Sequence, residues 1–96
     1  MELEFAGEVI EWRGPAPFYY VVIPPPESDE ISAVARAFTY GWGVIPVRAR
    51  LAGISFTTSL FPRDGLYLLP LKAAVRRPAG VAVGDLVEVE LSLVPA

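Results

Sequence analysis

Ninety-six residues with 53% apolar side chains and a positive mean hydropathy suit one domain around one core, and they exclude an intrinsically disordered chain. The absence of Cys and His excludes disulfides, thiolate metal sites, Cys nucleophiles and the commonest general base. The net charge of −3 is unevenly spread: residues 1–30 hold seven acids and Arg13, residues 31–77 hold seven bases and Asp64, and residues 78–96 hold three acids.

Leu3, Phe5, Gly7 and Val9 alternate with Glu2, Glu4, Ala6 and Glu8. That is the period of a half-buried strand, and it runs on through Ile10 towards Trp12. Arg13-Gly14-Pro15 supplies turn chemistry. Residues 18–23 form a continuous aromatic and β-branched run, which predicts a strand covered on both faces. Pro24-Pro25-Pro26 stops it, because proline donates no ladder hydrogen bond. Ser28 is placed to cap a helix with Asp29 and Glu30 in its first turn, and Ile31, Val34, Ala35 and Phe38 form its apolar stripe. Gly41-Trp42-Gly43 closes that unit.

Residues 45–51 alternate again, with Arg48 and Arg50 outward and Pro46 at an edge or bulge. After a turn at Gly53, residues 54–60 alternate as a fourth strand. Pro62-Arg63-Asp64-Gly65 reads as a reverse turn. Residues 66–69 make a fifth strand ended by Pro70, and residues 72–77 a short helix terminated by Pro78 and Gly80. Val83-Gly84-Asp85 turns the chain into a last strand, in which Val87, Val89, Leu91 and Leu93 alternate with Glu88, Glu90 and Ser92. Six short strands with two short helices predict a mainly β fold, a small barrel in a single domain over 1–96.

One pattern occurs twice: apolar strand, proline, helix, glycine turn, charged alternating strand. It runs from Tyr19 to Leu51 and again from Leu66 to Leu93. The outward charges are opposite, Arg48 and Arg50 in the first copy and Glu88 and Glu90 in the second. The repeat predicts halves that interlock about a pseudo-two-fold axis, with those charges close enough to attract and Arg48 with Glu88 as the pair to test.

The stretch from Leu68 to Val89, an apolar strand, Pro70, a short helix with Arg76 and Arg77, Gly80 and then Gly84-Asp85 before a Val-rich strand, resembles the AbrB-type swapped-hairpin signature. The whole chain is similar to a family of small prokaryotic proteins known only as a domain of unknown function. The matching residues are Phe5, Gly7, Pro24, residues 47–53, Ser59-Leu60-Phe61-Pro62, Gly65-Leu66-Tyr67, residues 72–77 and Gly84-Asp85. The resemblance implies a six-stranded double-split β-barrel with two short helices and pseudo-two-fold halves, built from one chain where AbrB-type proteins use two. It implies no activity. Pro78 departs from the pattern and predicts that the second helix ends a turn early.

Lys72, Arg76 and Arg77 are the densest basic cluster, and Lys72 and Arg76 share a helix face. The cluster reads either as a phosphate or carboxylate site or as a solvated face pairing with the acids of the first strand. Trp12, Tyr19, Tyr20, Tyr40 and Trp42 are core fillers or, if exposed, a stacking surface, with Trp42 the hardest to bury between its glycines. Ser55, Thr57 and Ser59 have only Lys72 as a conceivable amine base, so no catalytic residue is expected. Glu2, Glu4, Glu8 and Glu11 are too spread for one cation, and neither a Gly-x-Gly-x-x-Gly nor a P-loop motif occurs, so no metal and no cofactor is expected.

The acidic N-terminus is not that of a signal peptide, and no stretch approaches the ~20 apolar residues of a membrane helix, so a cytoplasmic protein is expected. The leading expectation is a non-enzymatic binding or protein-interaction module, meeting a protein partner or a second copy at a sheet edge or the Trp42 loop. The alternatives are a DNA-binding regulator by AbrB-type analogy, against which the pI of about 4.8 argues, and a small anionic ligand binder using Lys72, Arg76 and Arg77.

Overall fold

The computed structural model describes residues 1–12, 18–39 and 43–94. Eight elements follow in order: β1 (Glu2–Trp12), β2 (Phe18–Ile23), α1 (Pro25–Phe38), β3 (Ile45–Leu51), β4 (Ile54–Arg63), β5 (Leu66–Pro70), α2 (Ala73–Ala79) and β6 (Leu86–Leu93). The strands close into a six-stranded antiparallel barrel in the order β1-β2-β5-β4-β3-β6. The alternation in the sequence explains the closure. Phe5, Val9, Val21, Ile23, Val47, Leu51, Leu60, Leu69, Val89 and Leu91 all point inward, and Ile31 of α1 and Val75 of α2 plug into the same core.

The register carries the predicted pseudo-two-fold. β2 pairs with β5 and β3 with β6 at the two seams the axis crosses, and β1 with β6 and β3 with β4 also join one half to the other. Ile10 opposite Tyr20 in the first half corresponds to Phe61 opposite Leu68 in the second, and Trp12 opposite Phe18 corresponds to Arg63 opposite Leu66. The axis passes between Val21 and Leu69 at one seam and between Arg50 and Glu90 at the other. β1 and β4 are the long strands because each serves its two neighbours with successive segments: β1 leaves β6 after Glu8 and joins β2 at Val9, and β4 leaves β3 after Leu60 and joins β5 at Phe61. The only covalent link between the halves is the two-residue turn Ala52-Gly53, where both residues take positive φ, 50° and 78°.

Several expectations are corrected. α1 starts at Pro25 rather than after Ser28: prolines are pre-set for the first helical turn, and Pro24 holds the cap position. Ser28 then falls one turn inside the helix and is buried. β4 extends through Pro62 to Arg63, leaving Asp64-Gly65, both at positive φ, as the whole turn. β2 is covered on its inner face only, with Phe18 55% exposed. α2 does not stop early at Pro78. That residue sits in the last turn, and Gly80 ends the helix in the left-handed region, its N–H donating to the carbonyls of Arg76 and Arg77. Among the described residues no helix is long and apolar enough to cross a membrane.

Candidate functional site

The helix α2 and the strands beneath it build one groove. Leu71 ends the run from β5 with its N–H donating to the Tyr19 carbonyl at 2.8 Å, so the start of β2 is tied to the start of the helix. Lys72 follows in extended conformation as the helix cap, its carbonyl accepting from the N–H groups of Val75 and Arg76 at 2.9 Å each. Val75 anchors the helix in the core. One residue on, the Arg76 guanidinium lies over the Tyr19 ring, 4.0 Å from its centroid.

Phe18, Tyr20, Thr58, Phe61, Lys72 and Arg76 line a groove of about 760 Å³, in the size range of small-molecule sites. Phe18 and Phe61 stand 55% and 46% exposed along it, a large amount of aromatic surface left in water.

The internal repeat shows why the groove is open on this side. The counterpart of Arg76 is Ser28, whose hydroxyl donates to the Ile23 carbonyl at 2.8 Å and accepts from the Tyr67 N–H at 3.1 Å. That buried hydroxyl stitches α1 to β2 and β5. The counterpart of Lys72 is Pro24, and the counterpart of Thr58 is Gly7. At Gly7 a Cβ would overlap the Val22 carbonyl oxygen and come within 2.7 Å of Val21 Cγ1, so the bare backbone of β1 closes down on β2. In the second half a side chain, Thr58, occupies that position and forms part of the groove wall. The first half uses these positions to seal the barrel; the second turns them into a cationic, aromatic groove.

Two of the predicted site residues, Lys72 and Arg76, are brought together here. Arg77 is exposed and does not line the groove, because it follows Arg76 by one residue and so points elsewhere around the helix. Trp42 and Tyr40 lie outside the described residues. The alternative of a basic cluster paired with the acids of the first strand is not what forms. Among the described residues no carboxylate lies within ion-pair distance of Lys72, Arg76 or Arg77, and the ion pair that does form is Arg63 with Asp64 at 3.6 Å. Arg76 Nε is buried without a hydrogen-bond partner among the described residues.

Tyr19 and Tyr20 are half-buried, the first packed against the core and the second in the groove. Trp12 stacks under the Arg63 guanidinium, 3.4 Å from the ring centroid, so two counterparts in the repeat touch across the axis. The sequence reading missed Phe18, Thr58 and Phe61. Phe18 lies in a continuous apolar run and Phe61 beside a proline, which masks them, and the outward parity of these two is the signal that marks them, whereas Thr58 shares the parity of buried Leu60.

A second, charged groove of about 720 Å³ lies on the outer face of β1, β6, β3 and β4. Arg50 stands opposite Glu90, but Arg48 stands opposite Ser92 and Glu88 opposite Ala6, which overturns the Arg48–Glu88 pairing. Ser55 and Thr57 belong to this face and only Ser59 to the Lys72 groove, so the three hydroxyls do not act together. Among the described residues no three acids converge as a metal site.

The buried phenol of Tyr67, the counterpart of Tyr19, titrates above its usual range because burial penalises the phenolate.

No curated protein matches the chain. The family model described as Domain of unknown function (DUF1905) matches residues 5–91, nearly the whole barrel from β1 into β6, and the chain belongs to that family.

Proposed function

We propose that this domain is a non-enzymatic binding module whose working surface is the groove beside α2, and that its ligand is a small molecule carrying an anionic group. One observation carries the reading: the repeat places a sealing serine at position 28 and a half-buried arginine at position 76, beside Lys72 and the exposed rings of Phe18 and Phe61. A barrel needing only closure could use the same solution twice. Nucleic acid is not the anion proposed. A phosphate backbone is tracked by long basic stripes, whereas Lys72 and Arg76 are walled by aromatic side chains in an acidic protein. The charged outer rows and the absence of Cys support a cytoplasmic setting for this ligand exchange.

A thermal-shift screen of anionic metabolites against neutral analogues tests the reading. A true ligand at 100 times its Kd adds about 2.7 kcal/mol to stability. The stabilisation should vanish in Lys72→Ala/Arg76→Ala, and an unchanged shift in that variant would remove the groove from consideration.

A further inference from the structure

We infer that the ligand of this groove is an aromatic carboxylate, an inference that rests on the groove being the binding surface. Charge sets the first requirement. Lys72 and Arg76 present two cations to one groove, and no carboxylate of the described protein lies within ion-pair distance of either. Geometry sets the second. The Arg76 guanidinium lies over the Tyr19 ring, 4.0 Å from its centroid, a stacking contact that restrains its planar N–H fork. A carboxylate meets such a fork with two coplanar oxygens. In an aromatic acid the ring continues in that same plane. A ligand engaged by Arg76 shares the groove with Phe18 and Phe61, which are 55% and 46% exposed and against which burying a flat apolar ring is favourable. A tetrahedral phosphate ester turns its ring out of that plane. Lys72, a compact point charge on a flexible stem, supplies the second contact without dictating orientation. The fold does not demand the cation, because the counterpart Ser28 closes the barrel with neutral hydrogen bonds.

The test uses the full chain and 2-naphthoate as probe, followed by calorimetry and by amide chemical-shift mapping. 2-Naphthamide supplies the same ring without charge, and acetate and inorganic phosphate supply charge without the ring. The expected result is 2-naphthoate binding at least tenfold more tightly than any of the three, with shifts confined to β2, β4 and the stretch from Leu71 through α2. Arg76→Lys should lose at least fivefold and Phe61→Leu at least threefold, while Arg77→Ala, outside the groove, binds as the parent does. Circular dichroism establishes the fold of each variant; should Arg76→Lys fail to fold, Lys72→Ala and Phe61→Leu carry the test. Equal binding of naphthoate and naphthamide would overturn the carboxylate. Phosphate or acetate binding as tightly as naphthoate, with Arg76 dependence, would overturn the aromatic class and leave the anionic groove standing. No binding by any probe would overturn both.

Discussion

Arg50 and Glu90 stand opposite each other on β3 and β6, and each is the other's counterpart in the internal repeat. The pseudo-two-fold therefore exchanges a cation for an anion at the seam it crosses. Like charges placed directly opposite are destabilising, and an exposed opposite pair is worth about 0.2–1 kcal/mol. Arg50→Glu and Glu90→Arg should each lower stability in urea by about 0.5 kcal/mol, with the double exchange recovering most of the loss. The exchange of Arg48 with Glu88 should show no coupling, since those residues are not cross-strand neighbours. A double exchange at 50 and 90 no better than the worse single would remove the seam pair.

Gly7 is the position where β1 passes over the β2 backbone. Because an added Cβ would strike the Val22 carbonyl oxygen and Val21 Cγ1, main-chain and buried side-chain atoms of β2, Gly7→Ala should cost about 2–3 kcal/mol. Gly80→Ala meets no neighbour and should cost only the strain of its positive φ, about 1 kcal/mol. Chemical denaturation of the two variants distinguishes a steric cause from a conformational one; equal losses would contradict it.

Ser28 satisfies two backbone groups with one hydroxyl. Ser28→Ala strands the Ile23 carbonyl and the Tyr67 N–H in a buried place and should cost about 1–3 kcal/mol. Amide exchange should accelerate at Tyr67 first. An unchanged protection factor there would show that the hydroxyl is dispensable.

Tyr67 makes stability depend on alkaline pH. Its folded-state pKa lies above the unfolded value of about 10 because burial disfavours the phenolate. Below pH 10 both states hold the proton and nothing changes. Above it, the unfolded chain releases a proton that the folded chain retains, so stability falls as pH rises towards the folded pKa. Tyr67→Phe removes this slope. Melting temperatures of parent and variant taken from pH 8 to 11 should diverge above 10, with the parent falling faster; parallel curves would refute the assignment.

Alternation made the six strands legible, because one face of each is buried: Leu3 to Val9 and Val87 to Leu93 announce their pairing in the side-chain pattern alone. The repeat was legible for the same reason. What local pattern could not show was how long strands are shared. Pro62 reads as a turn residue, yet β4 needs it to reach β5, and tertiary pairing overrides the local signal. Ser28 reads as a cap because its chemistry suits one, whereas three prolines had already begun the helix. At the site, Lys72 and Arg76 were visible as a helical pair, but Phe18, Thr58 and Phe61 come from strands far apart in sequence and meet only through barrel closure.

The Ala52-Gly53 turn has a consequence for how many molecules the fold requires. Each half contributes one partner to both seams, so neither can complete its hydrogen-bonded ring by itself. Severing the backbone at that turn would yield two unlike fragments that assemble only by finding each other, and their melting point would climb with concentration as it does for any obligate heterodimer.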